Sequence, residues 1–258
     1  MIIPVRLIQG VTILAWCLIP CAHAEDADEL IKHGEALYMT HHLAPGRYDQ
    51  AIGSFEKALT LRPDDYYILW KLSEMFQIYG QILSDSAKER KIALWKKGVE
   101  YGKRAVDANP NGKEGHFYYM ANMGALAQIK GALTSGWRYR KIKKEMDRTL
   151  ELDPNFPPGL VARAQYLTEL PGILGGRNEK QAMQLFKRAL EIDPDYLIPY
   201  YYMAQLDARH RRYDEAIEKL NRIINCKDPG HYANWVMQDR PRAERLLKEI
   251  LEERQKAP

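Results

Sequence analysis

Apolar and polar positions along this chain follow the spacing of amphipathic helices, and one helix-closing phrase recurs four times. It reads SFEKALTLRPDD at Ser54–Asp65, GKRAVDANPNG at Gly102–Gly112, MDRTLELDPNF at Met146–Phe156 and LFKRALEIDPDY at Leu185–Tyr196; a weaker copy is KLNRIINCKDPG at Lys219–Gly230. Most copies show the end of a helix, a short polar step, then Pro and a turn. Self-similarity of this kind predicts stacked helix pairs, each burying its apolar face against its neighbours.

Indexing the copies by their prolines sharpens the pattern. Ala58, Phe55 and Ala51 lie five, eight and twelve residues before Pro63, and Ala189, Phe186 and Ala182 hold the same offsets before Pro194. A small residue admits a close helix crossing, an aromatic fills the gap, a second small residue continues the stripe, and Pro stops the helix. This is the second-helix signature of tetratricopeptide repeats. The copy before Pro110 keeps Ala105 but has Gly102 and Gly98, and the one before Pro154 has Thr149, Met146 and Ile142. First helices fit as well: Leu69, Leu72, Ser73 and Phe76 follow Pro63, and Tyr200, Met203 and Ala204 follow Pro194. The first unit covers Asp26–Pro63 with Gly34 or Ala36 at its crossing, and the last covers Leu197–Pro229 with Ala216, Leu220 and Ile223. The expected fold is an all-α, right-handed tetratricopeptide-repeat solenoid of about five repeats over residues 25–229. A capping segment, 230–258, follows, with Pro241 in the first turn of its helix and Ala243, Leu246, Leu247, Ile250 and Leu251 on one face.

The prolines at 63, 110, 154 and 194 are 47, 44 and 40 residues apart, against about 34 for a plain repeat. The surplus falls between the two helices of a unit, at Leu43–Gly46, Gly80–Arg90, around Gly131–Gly136 and at Leu170–Asn178. Stacking would bring these loops to one edge as a rim.

The first 24 residues read differently. Arg6 is their only charge, Leu7–Ile19 is a mostly apolar run of thirteen, Pro20 breaks it, and Ala22-His23-Ala24 is a small-x-small cleavage site. Thirteen residues fall short of the ~20 that span a bilayer, so a secretory signal peptide removed near Ala24 is expected. Pro20 before Cys21 and Trp16 before Cys17 argue against a lipidation signal. Loss of the leader leaves Cys226 as the single cysteine, which excludes an internal disulfide or a CxxC redox pair. Net charge, +4 over the whole chain, is too mild to indicate nucleic acid. Catalytic constellations are missing: there is no HExxH and no GxSxG, His41-His42 stands beside a loop without spaced carboxylates, and Cys226 and His231 have no orienting third group. An enzyme, a metal site and a cofactor are therefore not expected.

The stretch Leu170-Pro-Gly-Ile-Leu-Gly-Gly-Arg-Asn-Glu-Lys-Gln-Ala182, followed by LFKRALEIDPDY, resembles the T component of TRAP transporters, the TatT-like tetratricopeptide proteins. It is also similar to the eukaryotic regulator of microtubule dynamics family, whose repeats are degenerate and expanded in the same way. The resemblance is best over Lys91–Leu206. It implies a periplasmic protein that binds a solute-binding subunit, or a small organic ligand, for uptake. The Leu197–Pro258 ending departs from that pattern and reads as an ordinary repeat plus cap. A phosphate loop is excluded at Gly175-Gly176 because Arg177, not Lys-Ser/Thr, follows; a tight turn with Asn178 capping the next helix is the reading there.

In such arrays first helices line a concave face. The positions that point into it are Tyr67, Trp70 and Glu74 from the second repeat, Tyr118 and Asn122 from the third with a one-residue register shift, Gln165 from the fourth, and Tyr201, Gln205 and Arg209 from the fifth. Glu74, Asn122, Gln165 and Gln205 would stack as a polar ladder able to bind peptide backbone or polar ligand groups. Tyr67, Trp70, Tyr118 and Tyr201 would form an aromatic row beside it, and aromatics and Arg are the residue types enriched at binding hot spots. The basic run Arg138, Arg140, Lys141, Lys143 and Lys144 reads as a solvated helix face. The expected function is a non-catalytic periplasmic adaptor for a partner protein or small organic ligand. The alternative is a scaffold for envelope assembly. An enclosed apolar pocket would mark a ligand carrier, and an open continuous groove a scaffold.

Overall fold

The computed structural model describes residues 26–129, 136–169 and 178–256, and contains helices and turns but no strand among them. Five antiparallel helix pairs succeed one another: α1 (Ala27–Met39) with α2 (Arg47–Leu61), α3 (Tyr66–Ile82) with α4 (Lys88–Ala108), α5 (Lys113–Ile129) with α6 (Gly136–Leu152), α7 (Pro157–Glu169) with α8 (Glu179–Ile192), and α9 (Ile198–Arg209) with α10 (Tyr213–Ile224). The chain is a tetratricopeptide-repeat solenoid. Local chemistry sets the helix starts. Asp26, Asp65 and Asn178 each accept a backbone N–H from the first turn that follows, at Asp28, Ile68 and Gln181 respectively, satisfying donors that the helix itself leaves open.

The small-aromatic-small stripe forms the seam of the stack. Ala51, Phe55 and Ala58 in α2, and Ala182, Phe186 and Ala189 in α8, are fully buried. At the first crossing the small partner is Gly34: a Cβ there would come within 2.7 Å of the Phe55 ring. The second pair differs from expectation. Gly80–Arg90 is mostly helix, because α3 runs on to Ile82 and α4 begins at Lys88. The longer helices meet where the Trp95 ring covers Gly80, and the Trp95 indole N–H donates to the Gln77 carbonyl at 3.1 Å. The surplus residues of this repeat thus lengthen its two helices more than they decorate the edge of the stack. Residues 1–25, 130–135, 170–177 and 257–258 lie outside the described residues, and with them the expected leader, most of the insertion around Gly131–Gly136 and the turn expected at Gly175-Gly176.

The C-terminal helix caps the array as its apolar face requires, with Ala243 and Ile250 buried and Leu246 and Leu247 partly buried against α10. Leu251, expected on that face, is 42% exposed. Pro241 stands in the first turn of the last helix as expected, but the chain before it is already helical. A short turn, α11 (Tyr232–Asn234), and a π turn, Trp235–Asp239, lead without a break into α12 (Arg240–Lys256). Pro241 has no N–H to give to the carbonyl four residues back, and its ring crowds that carbonyl. The wider π turn immediately before it relieves both problems.

That leading segment closes the array on itself. The Asn234 amide donates to the Tyr38 hydroxyl of α1 at 3.3 Å, across 196 residues of sequence. Tyr232 packs edge-on against His42, ring centroids 5.2 Å apart. Gln238 bonds Gln81 of α3, and Arg245 faces Asp85 at 3.7 Å.

Candidate functional site

The inner helices α1, α3 and α5 build the better-defined part of the concave face. Tyr67, Trp70 and Glu74 follow one stripe of α3. The Tyr67 hydroxyl donates to the Glu35 carboxylate of α1. The Trp70 indole lies flat against Tyr118 of α5, 5.9 Å between centroids and 6° between planes, with Tyr67 edge-on at 5.2 Å. Tyr118 donates to Glu74 Oε1 at 2.8 Å, and Lys71 Nζ holds Glu74 Oε2 at 2.6 Å. The same ammonium lies 4.9 Å from the Tyr38 ring and 5.3 Å from that of Trp70. Burial, and then the Glu74 charge, push the Tyr118 phenol well above its ordinary pKa, and burial with the Glu35 contact does the same for Tyr67. Both remain hydrogen-bond donors across the physiological range. The result is a stacked aromatic wall with one carboxylate and one ammonium set into it.

Asn122 does not belong to that wall. It is fully buried between helices, its amide donating to Ser73 O at 3.0 Å, Ser73 Oγ at 3.1 Å and Tyr118 O at 2.8 Å. The register shift assumed for α5 is the cause. Helices α3 and α5 both begin three residues after their proline. Asn122 therefore shares its offset with Met75 and Leu206, which are also buried. The position matching Glu74 is Ala121, and the polar ladder is interrupted there. Asn122 fills space left by glycines: a Cβ on Gly98 would fall 2.2 Å from its Oδ1, and one on Gly102 would fall 2.7 Å from the Tyr119 backbone.

Further along the stack, Gln165 is half-buried on α7. On α9 the Gln205 amide donates to the Tyr201 hydroxyl at 3.3 Å. Arg209 is drawn off the face: it pairs with Glu179 of α8 at 3.2 Å and reaches the Thr168 carbonyl at 3.5 Å. So Tyr67, Trp70, Glu74 and Tyr118 form one cluster, Tyr201 and Gln205 a second, and Arg209 ties α9 to α7 and α8.

Sequence reasoning missed the third component of the site, the segment Tyr232–Arg242. Its Arg242 guanidinium sits 4.1 Å from the Tyr201 ring centroid and 5.2 Å from that of Tyr202, and donates to the Tyr202 hydroxyl at 3.2 Å. Asp239 lies beside it, its carboxyl pushed up to about 6 by burial despite the opposing pull of Arg242. Tyr196, close to Asp239 and Tyr202, is likewise raised by burial. The one available signal was the four-residue spacing of Asn234, Gln238 and Arg242.

A cavity of about 10 Å³ remains between Leu197, Ile198, Tyr201, Ile223, Asp239 and Arg242, room for about one water. A larger cleft, about 280 Å³, opens between α2, α3 and α4. Its floor is Ile52, Phe76, Ala93 and Leu94, and its sides are the pairs Asp49 with Arg90 at 4.0 Å and Glu56 with Lys97 at 3.7 Å. Among the described residues no group of three His, Cys, Asp or Glu side chains is placed to hold a metal ion, and no helix is long and apolar enough to cross a membrane.

The comparisons with known proteins agree with this architecture. Over residues 177–234 the chain matches a tetratricopeptide repeat family. Regulator of microtubule dynamics protein 1 of Bos taurus is 23% identical over 147 residues, which are 52% of this chain and 46% of that protein. The chain thus spans about half the length of that relative. Among solved structures, a thermophilic TPR protein from Thermus thermophilus superposes with a TM-score of 0.57 at 22% identity, covering 81% of this chain and 97% of that one. Yeast Tom70 gives 0.52 at 17% identity, covering 90% and 41%. At these identities the likeness is one of fold. Residues 30–160, just over half of the chain, match the family described as regulator of microtubule dynamics protein 1-3. Helix pairs with expanded, degenerate repeats run through that same stretch, and the chain belongs to the regulator of microtubule dynamics protein 1-3 family.

Proposed function

We propose that this protein is a non-catalytic adaptor, exported with loss of its leader near Ala24, that holds a segment of a partner protein on its concave face in the periplasm. The observation that carries this reading is the wall formed by Tyr67, Trp70 and Tyr118 around the Glu74–Lys71 pair. Rigid aromatics anchor a partner at little entropic cost, and a carboxylate and an ammonium set among them choose its orientation. Gln165, Tyr201 and Gln205 extend the surface towards the last repeat. The roughly 10 Å³ beside Tyr201 favours a protein segment over an enclosed organic solute. In its sharpest form the partner is the solute-binding subunit of a TRAP-type uptake system, a reading supported by the Leu170–Ala182 resemblance.

The test is retention from periplasmic extract on immobilised Glu25–Pro258, with mass spectrometry of what is held, alongside a Trp70→Ala, Gln205→Ala double variant. A solute-binding subunit held by the parent and lost from the variant supports the proposal. Equal retention by both removes the concave face from the account. Recovery of envelope assembly factors instead would favour the scaffold.

A further inference from the structure

The concave face already has an occupant, supplied by the same chain. Asn234, Gln238 and Arg242 are spaced four residues apart on one continuous helical segment. In an α-helix of 3.6 residues per turn such a stripe drifts around the axis; the wider π turn at Trp235–Asp239 takes up the drift. Each of the three meets a different part of the array: Asn234 the Tyr38 hydroxyl, Gln238 the Gln81 amide, and Arg242 the Tyr201 and Tyr202 rings. Tyr38 also lies under Lys71, the cation that holds Glu74, so the contact reaches the edge of the aromatic wall. The stripe bridges the first and last repeats.

This segment is built differently from the cap that follows it. Tyr232 and Met237 are 51% and 39% exposed, so its outer side faces solvent. Its apolar residues are held on the α10 side: Ala233 and Trp235 are buried, Val236 packs against the same cluster as Trp235, and the Trp235 indole N–H donates to the Ile223 carbonyl at 2.7 Å. Its contacts towards α1, α3 and the Tyr201–Tyr202 pair of α9 come from two amides and a guanidinium. Partly exposed polar contacts of this kind are weak individually, and α12 stays anchored through Ala243 and Ile250 whether or not they are made.

Resting on the adaptor reading above, we infer that Tyr232–Arg242 is a resident, displaceable occupant of the concave face. The partner it gives way to presents a helical segment carrying an arginine for the Tyr201–Tyr202 pair and an amide one or two turns before it.

The first test uses this chain and a labelled synthetic peptide with the sequence of residues 231–245. A Gln238→Ala, Arg242→Ala variant, shown by circular dichroism to be folded, is expected to bind the peptide at least about tenfold more tightly than the parent. The same peptide with its arginine replaced by alanine should lose that gain. A second chain guards against a merely destabilised variant: Gln81→Cys with Gln238→Cys, in a Cys226→Ser background, joined by a short bismaleimide. The cross-linked chain should refuse the peptide, and the same chain before cross-linking should accept it as the parent does. Equal peptide binding by parent and double variant, or no effect of the cross-link, overturns the inference and leaves the adaptor reading standing. A locked chain that still retains its extract partner at the parent's level overturns the gating. Loss of retention on locking supports it.

Discussion

At the scale of single residues, the array is held by a few buried polar groups whose protonation is dictated by their neighbours. His116 is buried with Nδ1 2.6 Å from Glu145 Oε2 and Nε2 2.9 Å from the Pro110 carbonyl. A carbonyl can only accept, so Nε2 donates; a neutral ring would then turn a lone pair on the carboxylate. The ring is therefore an imidazolium, and the Glu145 hydrogen bond raises its pKa against the cost of burial. A raised folded pKa contributes stability that is complete below the unfolded value of about 6.5 and is lost as pH rises through the folded value. Melting temperature should fall as pH is raised above about 6.5, and Glu145→Gln should flatten that slope while costing about 1–3 kcal/mol at pH 6. A parent profile flat from pH 5.5 to 8.5 would show that folding does not raise the pKa of the ring. Gly98 makes a steric counterpart. Asn122 is pinned by three hydrogen bonds 2.2 Å from where a Cβ would stand. Gly98→Ala should destabilise by about 1–2 kcal/mol in denaturant melts, overpacking outweighing the gain in helix propensity.

At the scale of helices, what could be read from the sequence is what local packing decides. Phe55 and Phe186, with their flanking alanines, announce the crossings because each fills its own gap, and Asn178 announces a helix start because a cap acts within three residues. The α5 register was misread where that locality fails: Gly98 and Gly102 supply no side chain, and the filling arrives from Tyr119 and Asn122 on the opposite helix. The insertion at Gly80–Arg90 misled for a related reason, since Gly80 has no side chain and the space it leaves is filled by Trp95 from the next helix. The closing segment was illegible because its contacts are polar and its partners lie across the array. Its own chemistry gives a prediction at this scale. Burial raises the Asp239 carboxyl to about 6 from an ordinary 3.8, so its folded form favours the proton. The associated stability is complete below 3.8 and is lost as pH climbs through about 6. At pH 7 the ionised carboxylate is a cost, moderated by Arg242 and by the partial solvent access of the side chain. Asp239→Asn should therefore stabilise the chain at pH 7 by about 1–2 kcal/mol and remove the decline between pH 4 and 6. Destabilisation at pH 7 would show instead that the Arg242 attraction dominates.

At the scale of the whole molecule, closure changes what kind of solenoid this is. In an open array each repeat touches only its neighbours, and unfolding can begin at a free end and spread. Here the first repeat is tied to the last segment through Tyr38 with Asn234 and His42 with Tyr232, and the second through Gln81 with Gln238. Neither end is free to fray alone, and the separate clusters around Phe55 and Phe76, around Phe186, and around Leu220 and Ile250 are coupled through the ring as well as along the stack. Calorimetry of the parent chain should give a single transition whose calorimetric and van't Hoff enthalpies agree. An Asn234→Ala, Gln238→Ala variant keeps Trp235, Ala243 and Ile250 and so keeps the cap. It should lose only about 1–2 kcal/mol in total from two partly exposed hydrogen bonds, yet its transition should broaden or split, with the first two repeats melting apart from the rest. The width carries the argument here, since a uniform loss of stability would lower the midpoint without changing the enthalpy ratio. A variant that melts in one equally sharp step would mean that nearest-neighbour packing alone couples the repeats and that the ring contacts are incidental to cooperativity.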